Sequence, residues 1–230
     1  MKRIAIIPVR SGSKGLKDKN ILPLCGKPLL SYTIRQALES GEFDKIFVST
    51  DSEKYARIAR QYGAEVPFLR SEENSSDTAG SWDVVREVIH ILEEQGERYD
   101  EIMLLQATSP LRAAQDIRQA IAFMHEKNAN AVQSVTEMDH SPLWSNTLPD
   151  DLNMDSFESK EYGNLPRQLL PKYYRLNGAI YLIKREELDK QNMFCDKCYA
   201  YIMPQERSID IDTEFDFKVA ELYMKEDEKQ

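Results

Sequence analysis

The sequence is short of cysteine, of long apolar runs and of net positive charge. Three cysteines in 230 residues cannot form a disulfide framework, so reduced thiols and a cytoplasmic location are expected. No apolar run approaches the roughly 18–20 residues that span a bilayer, and the apolar run near the start is too short for a signal peptide. The net charge of −9 argues against a general nucleic-acid binder.

Positive charge is nevertheless concentrated at the start of the chain. Residues 1–36 contain eight lysines and arginines and a single acidic residue, Asp18. A basic start on an acidic protein suggests one anionic ligand that is held at one place. The length fits one domain over residues 1–230, with room for a small insertion.

Strand-like and helix-like segments alternate along the first 135 residues. The continuous apolar run at 4–9 is typical of a strand that is buried on both faces. Strand–helix alternation with short connections predicts βαβ units, a mostly parallel sheet and ligands bound beyond the carboxyl ends of the strands. Further strands are predicted at 45–49, 66–69, 102–106, 131–135, 178–183 and 199–203, with a last helix at 213–225.

This alternation stops between about residues 137 and 175, where Pro, Asn, Asp and aromatic residues are frequent. An irregular segment of that length is uncommon in a compact domain and tends to be functional. We interpret 140–175 as an insertion that serves as a lid or a dimerisation arm. Its apolar residues lack an obvious partner in their own sheet, which predicts a homodimer; they are Leu143, Trp144, Leu148, Phe157, Leu165, Leu169 and Leu170.

The segment at 10–20, here called the first loop, follows the first predicted strand and contains two glycines, two serines and four cations. Glycines allow backbone N–H groups to turn toward a ligand, and such nests bind phosphates. The spacing fits neither the P-loop nor the dinucleotide-binding pattern. A merely solvated basic loop is the alternative, but the position at a strand's carboxyl end favours a phosphate-binding loop.

Two aspartates, Asp210 and Asp212, are separated by one residue near the end of the chain. On an extended segment their carboxylates project to the same face and repel, unless a cation lies between them. Mg²⁺ is commonly held by one or two carboxylates together with substrate phosphates, so the pair predicts a magnesium site. In the alternative, Asp212 caps the last helix and Asp210 is solvated.

Seven blocks resemble, in order, the N-acylneuraminate cytidylyltransferases, which are the CMP-sialic acid synthetases. They lie at 10–20, 48–51, 76–79, 105–112, 166–168, 177–181 and 208–213, and so extend over nearly the whole chain. The resemblance implies a three-layer, Rossmann-like α/β nucleotidyltransferase fold. It also implies Mg²⁺-dependent transfer of CMP from CTP to the anomeric hydroxyl of a nine-carbon 2-keto sugar acid, with release of pyrophosphate.

The resemblance also implies roles for individual residues of this sequence. Those that contact the triphosphate are Arg10, Lys14 and Lys19, which with Asp212 form the catalytic group. Those that surround the cytidine are Asn20, Arg70 and Ser81. Those that bind the sugar acid are Gln106, Arg167, Tyr181 and Trp144, and those that hold the metal are Asp210 and Asp212.

Two residues of the insertion concern the sugar acid more closely. Arginine grips a carboxylate bidentately, which favours Arg167 as its partner, although Arg175 could do the same or bridge subunits. Sialic-acid-specific members of the family often have lysine where this chain has Trp144. The apolar face of tryptophan suits a 9-deoxy sugar such as legionaminic acid. In the alternative, Trp144 only packs at the dimer interface.

Three alternative functions stay open from the sequence: a CMP-3-deoxy-manno-octulosonate synthetase, an Asp-x-Asp glycosyltransferase and a CTP-sensing domain without turnover. Cys195 and Cys198 form a Cys-x-x-Cys without further ligands at suitable spacing, so neither zinc nor redox chemistry is assigned to them. Arg112 is expected to hold its own loop together, Asp51 to cap the following helix, and no general base is assigned.

Overall fold

The computed structural model describes residues 1–12, 15–76, 78–157, 162, 165–190 and 196–227. These residues include eight strands and five α-helices. The strands are β1 (Arg3–Pro8), β2 (Pro23–Leu24), β3 (Lys27–Pro28), β4 (Lys45–Ser49), β5 (Glu101–Leu104), β6 (Ala131–Glu137), β7 (Tyr174–Lys184) and β8 (Cys198–Ile202). The helices are α1 (Leu29–Ser40), α2 (Glu53–Gln61), α3 (Ser81–Glu94), α4 (Ala114–Glu126) and α5 (Glu214–Asp227).

Six of the strands form one sheet in the order β4-β1-β5-β7-β6-β8, and β2 pairs with β3 in a separate short hairpin. β1 lies parallel to β4 and β5, and β6 lies parallel to β8. β7 runs antiparallel to both of its neighbours, β5 and β6. Five of the six strands therefore point the same way, which confirms the predicted α/β fold with a mostly parallel sheet.

Helices cover both faces of this sheet and give the three layers that were expected. In β1, Ala5 and Ile7 face α1, α2 and α4 within one buried cluster. Ile4 and Ile6 face the opposite side, where α3 supplies the helical half of a second cluster. Alternate side chains of one strand thus pack into two cores, which is why its sequence is apolar without interruption.

The predicted insertion is the connection between β6 and β7. The two strands pair as neighbours, with Glu137 opposite Tyr174, so the chain leaves the sheet and returns to it at the same place. In the described part of this connection the regular structure consists of two 3-10 turns, Pro142–Trp144 and Arg167–Leu169. Residues 138–173 are called the arm below.

One predicted strand, at 66–69, is wrong. Glu65, just before the segment, makes an isolated bridge with Phe47, but 66–69 itself does not form a strand. Pro67 has no backbone N–H to donate to a ladder, which prevents further pairing beside β4. Phe68 instead packs its ring on Phe47, with 5.1 Å between the centroids.

The other strands and the last helix occur where they were predicted, with shifted ends. β7 begins at Tyr174, four residues before the predicted start, and so includes the last part of the irregular stretch. α5 covers the predicted terminal helix. Among the described residues, no helix is both long and apolar enough to cross a membrane.

Candidate functional site

A cavity of about 620 Å³ opens at the carboxyl ends of β1 and β5. β4 and β5 flank β1 on opposite sides, so this is a point where the strand order reverses and where open α/β sheets bind ligands. Seven of the predicted site residues line it: Arg10, Lys19, Asn20, Arg70, Ser81, Gln106 and Asp212. Segments far apart in sequence thus converge on one cavity.

An ion pair joins the first loop to the segment before α5. The Nζ of Lys19 lies 2.8 Å from Oδ1 of Asp212, with the lysine side chain 11% exposed and the aspartate 74% exposed. Close packing supports this pair, because a Cβ added at Gly15 would lie 2.8 Å from the Asp212 carbonyl oxygen. Any larger residue at position 15 would push the two segments apart.

Asp212 does not cap the last helix, so that alternative is wrong. The cap is Thr213, whose hydroxyl oxygen accepts the N–H of Asp216 at 3.3 Å. Asp216 in turn accepts the N–H of Thr213 at 2.8 Å, which completes a capping box. Because these two residues cap α5, the carboxylate of Asp212 is left for Lys19 and for the cavity.

Asp210 lies beside the cavity wall with an unsatisfied carboxylate oxygen. Its Oδ1 is buried and has no hydrogen-bond partner. Burial raises the pKa of the Asp210 carboxyl and the charge of Asp212 adds to the rise, while Thr108 and Lys19 oppose it. A bound cation would satisfy the free oxygen and relieve the repulsion, so the donors fit a hard divalent metal.

Gly178 brings Asp210 close to the predicted sugar-binding residue Gln106. A Cβ added at Gly178 would lie 3.2 Å from Oε1 of Gln106 and 3.4 Å from Oδ2 of Asp210. Tyr181 belongs to the same strand, and its ring meets Trp82 edge-on with 6.2 Å between centroids. Burial raises the pKa of the Tyr181 hydroxyl, and the charge of Asp210 raises it further.

Arg70 also lines the cavity and is held by hydrogen bonds to Ser49. Its Nε donates to the hydroxyl of Ser49 at 3.0 Å, and its Nη2 donates to the Ser49 carbonyl oxygen. Burial lowers the pKa of Arg70 to about 10 although Asp51 opposes the shift, so the guanidinium stays charged at neutral pH. A buried cation fixed by a neighbouring strand end suits a specific polar ligand.

Sequence reasoning missed two residues that shape the first loop. Asp51 was expected to cap α2, but its carboxylate accepts the backbone N–H and the hydroxyl of Ser11 at 2.7 and 2.6 Å. Tyr55 of α2 belongs to the core, and its hydroxyl also donates to Asp18 at 2.9 Å. The only available signal was the position of Asp51 at the carboxyl end of a predicted strand.

Arg112 acts as the sequence predicted. The side chain is buried, and its Nη1 donates to the carbonyl oxygens of Ala179 at 2.6 Å and Gln106 at 3.4 Å. Its Nη2 donates to Oε1 of Gln36 at 3.0 Å. Burial lowers the pKa of Arg112 to about 9. The residue therefore ties the loop after β5 to β7 and α1 without lining the cavity.

Two predicted substrate-binding residues lie in the arm, outside the cavity. Arg167 lines a separate hollow with residues of β6 and β8. Trp144 donates its indole N–H to the carbonyl oxygen of Tyr162 at 3.4 Å. Arg175 is an exposed residue of β7, opposite Thr136. Within one chain, these side chains are not brought to the residues that line the cavity.

Lys14 and Cys195 were named from the sequence and lie outside the described residues. Among the residues that are described, no group of three or more histidine, cysteine or acidic side chains is placed to hold a metal ion. A metal at Asp210 and Asp212 would therefore need ligands from a bound substrate, as Mg²⁺ commonly does.

Several known proteins that are similar to this chain are named for sugar acids. The N-acylneuraminate cytidylyltransferase of Streptococcus agalactiae serotype V is 41% identical over 94% of this chain. That match is 52% of the relative, so the chain spans about half the length of the first curated relatives it matches. Two relatives match over 97% of their length: the pseudaminic acid cytidylyltransferase of Campylobacter jejuni, 32% identical over 98% of this chain, and the CMP-N,N'-diacetyllegionaminic acid synthase of Legionella pneumophila, 35% identical over 97%.

The fold is shared with a solved structure. A CMP:2-keto-3-deoxy-manno-octonic acid synthetase complexed with CTP superposes with a TM-score of 0.74, at 15% identity, over 99% of this chain and 100% of that one. A family model described as Cytidylyltransferase matches residues 4–197. The sequence resemblance is thereby confirmed, and the chain belongs to the cytidylyltransferase family.

Proposed function

We propose that this chain transfers CMP from CTP to the anomeric hydroxyl of a nine-carbon 2-keto sugar acid and releases pyrophosphate. The observation that carries the proposal is the convergence of the predicted nucleotide-binding residues on one cavity. Membership of the family and the nonulosonic acids named in the relatives support it. The family assignment also favours this reaction over that of an Asp-x-Asp glycosyltransferase.

We assign the triphosphate to the basic side of the cavity. Arg10 and Lys19 line it, and both residue types bind phosphates through charge-assisted hydrogen bonds. Lys14 joins them on the sequence pattern alone. We assign the cytidine to the amide, guanidinium and hydroxyl groups of Asn20, Arg70 and Ser81, which line the same cavity.

Asp210 and Asp212 would hold Mg²⁺ together with oxygens of the triphosphate. The unpartnered buried oxygen of Asp210 supports this assignment. When bound, Mg²⁺ supplies positive charge that offsets the negative charge developing on the transferred and departing phosphates.

The side chains act on the reaction through charge and position. The anomeric hydroxyl attacks the α-phosphorus in line with the departing pyrophosphate, whose charge Arg10 and Lys19 stabilise. Because an ammonium has three donors, Lys19 can bind a phosphate oxygen and keep its contact with Asp212. Gln106 offers its amide to the sugar acid beside this point, and no general base is assigned.

A pyrophosphate-release assay with CTP and a panel of 2-keto sugar acids tests the proposal. We expect CTP-dependent release with nine-carbon acids and much less with the eight-carbon 3-deoxy-manno-octulosonate. Release with the eight-carbon acid alone would establish that alternative instead. CTP binding without release on any acid would leave a CTP-sensing domain.

We propose that the preferred sugar is a 9-deoxy acid with two acylamido groups, as in legionaminic acid. Trp144 does not line the cavity of its own chain, so this preference presumes that the arm of a second subunit reaches the site. Its indole N–H is used within the arm, which leaves an apolar ring face and no charge for a substrate tail. The full-length match to a diacetyllegionaminic acid synthase supports this preference. An apolar wall discriminates against one hydroxyl only modestly, so some turnover of N-acetylneuraminate should remain.

The sugar preference is tested by comparing kcat/KM for the two acids. We expect about tenfold higher efficiency with the di-N-acetylated 9-deoxy acid. Trp144→Lys should shift the ratio toward N-acetylneuraminate, whereas the matched control Trp144→Phe should retain it. Equal or reversed efficiencies in the unmodified protein would end the idea and leave the cytidylyltransferase proposal untouched.

We propose that the arm makes the protein a homodimer. Of the seven apolar residues named from the sequence, Leu148 and Leu169 are more than half exposed, whereas Leu170 is buried and the other four are partly buried. Leu152 and Met154 of the arm are also more than half exposed. Leu176 and Ile202 are also exposed, on β7 and β8 next to where the arm begins. Several exposed apolar side chains on one segment and the strands beside it are typical of an interface between subunits. The cytoplasmic location stays a prediction from the cysteine pattern.

Light scattering at micromolar concentration tests the dimer. We expect a mass of about twice 26.6 kDa. Leu169→Glu should shift the protein toward the monomer, while Phe215→Glu, an equally exposed apolar position on α5, should not. A monomeric mass for the unmodified protein would contradict the proposal.

A further inference from the structure

The carboxyl end of β4 holds the first loop through one carboxylate. Both oxygens of Asp51 are used by Ser11, one by its backbone N–H at 2.7 Å and the other by its hydroxyl at 2.6 Å. The backbone of β4 also holds Val9, whose N–H donates to the Ser49 carbonyl oxygen at 2.9 Å. The loop therefore leaves β1 along a path that β4 determines.

The same strand end holds the residue assigned to the cytidine. Arg70 donates from its side chain to Ser49 and from its backbone N–H to the Thr50 carbonyl oxygen at 2.9 Å. Three consecutive residues, Ser49, Thr50 and Asp51, thus contact both halves of the nucleotide site. A displacement at this point would change the spacing between the base and the triphosphate.

Asp51 has no other evident task. It neither lines the cavity nor caps α2, whose first turn is joined by the N–H of Ala56 to the carbonyl oxygen of Ser52. Burial alone would raise its pKa, but the hydrogen bonds from Ser11 and the charge of Arg70 hold the pKa of Asp51 below its ordinary value. The acceptor is therefore a full carboxylate at neutral pH.

The first loop needs such an anchor because of its composition. Gly12 has a positive φ of 72°, and Gly15 packs against the Asp212 backbone, so two of its residues have little conformational preference of their own. A loop that is fixed before the ligand arrives loses less entropy on binding. Asp51 anchors its beginning and Asp212 its middle.

We infer that Asp51 is a positioning residue that sets the first loop for the triphosphate and acts on the phosphates through Ser11. This rests on the proposed function, because it presumes that the loop binds phosphates. The inference separates phosphate recognition from base recognition: losing Asp51 should weaken the contacts with the β- and γ-phosphates much more than those with cytidine.

Calorimetric titration of Asp51→Ala with CTP and with CMP tests this, in magnesium-containing buffer without sugar acid. We expect the affinity for CTP to fall about tenfold or more, since two hydrogen bonds to a charged group are lost, and the affinity for CMP to change by about twofold or less. In turnover, the KM for CTP should rise while the KM for the sugar acid stays unchanged.

Matched variants separate positioning from general damage. Asp51→Asn keeps one acceptor for the Ser11 N–H and should recover part of the CTP affinity, and Ser11→Ala should show a smaller loss than Asp51→Ala. Asp100→Ala is the control, because Asp100 accepts a backbone N–H at 2.6 Å from Lys2 beside the amino end of β1; its CTP-to-CMP affinity ratio should match that of the unmodified protein.

If the CTP-to-CMP affinity ratio of Asp51→Ala equals that of the unmodified protein, because both affinities fall equally or neither falls, the inference is overturned. The proposed function fails separately, if the unmodified protein neither binds CTP nor releases pyrophosphate. Should Asp51→Ala fold poorly, the ratio measured on Ser11→Ala, which removes only a hydroxyl, decides the matter.

Discussion

Replacing Asp212 by asparagine should lower kcat by about 10²–10³-fold, because the change removes charge from the site where the transition state gains it. The side chain keeps its shape, so the loss measures charge and not packing. The carboxylate is free for this role because Thr213 and Asp216 cap α5. Steady-state pyrophosphate release at saturating CTP and sugar acid is the measurement.

Glu214→Gln is the matched control for this substitution. Glu214 is an exposed carboxylate two residues away that pairs with Lys218 at 2.8 Å, outside the cavity. Its kcat should stay within about twofold of the unmodified value. The magnesium concentration for half-maximal rate should also rise in Asp212→Asn and stay fixed in Glu214→Gln. Near-normal activity of Asp212→Asn at ordinary Mg²⁺ would refute the metal assignment.

Lys19→Ala should weaken the handling of CTP about 10–100-fold, as expected for the loss of a charge-assisted hydrogen bond to a phosphate. The lysine side chain is 11% exposed, so water cannot easily replace it. The substitution also leaves the Asp212 carboxylate without its cation. We expect the KM for CTP to rise and kcat to fall, with little change in the KM for the sugar acid.

Lys17→Ala provides the comparison within the same loop. Lys17 is exposed and does not line the cavity. Removing its charge changes the overall field of the loop without removing a contact in the site, so its CTP kinetics should remain close to normal. If Lys19→Ala kept both the CTP KM and kcat, Lys19 would no longer belong to the site.

Much of the fold could be predicted because it depends on local patterns. A strand that is buried on both faces shows a continuous apolar run, as 4–9 does, and the helices that cover it show an apolar stripe. The strand predicted at 66–69 failed because Pro67 carries no N–H, a backbone requirement that apolar content does not report. The reversal of β7 was also out of reach, since pairing direction depends on distant partners.

The candidate site could likewise be predicted only in part. Residues inside recognisable blocks, such as Asn20 and Gln106, could be named from the sequence, and both line the same cavity. The contact of Asp51 with Ser11 joins two blocks 40 residues apart, and spacing in the sequence carries no information about it. Capping of α5 by Asp212 was an alternative because a one-residue shift along a polar segment, here to Thr213, leaves the sequence pattern almost unchanged.

The attachment of the arm has a consequence for how such proteins diversify. The arm leaves and re-enters the sheet at two paired positions, Glu137 and Tyr174, so its ends stay together whatever lies between them. Doubling the length of such a loop costs only about 0.6 kcal/mol in closure entropy. Insertions, deletions and drift in the arm can therefore accumulate while the loops after β1 and β5 keep their positions. Under the roles proposed for the arm, evolution can then alter subunit assembly and sugar choice without disturbing the nucleotide chemistry.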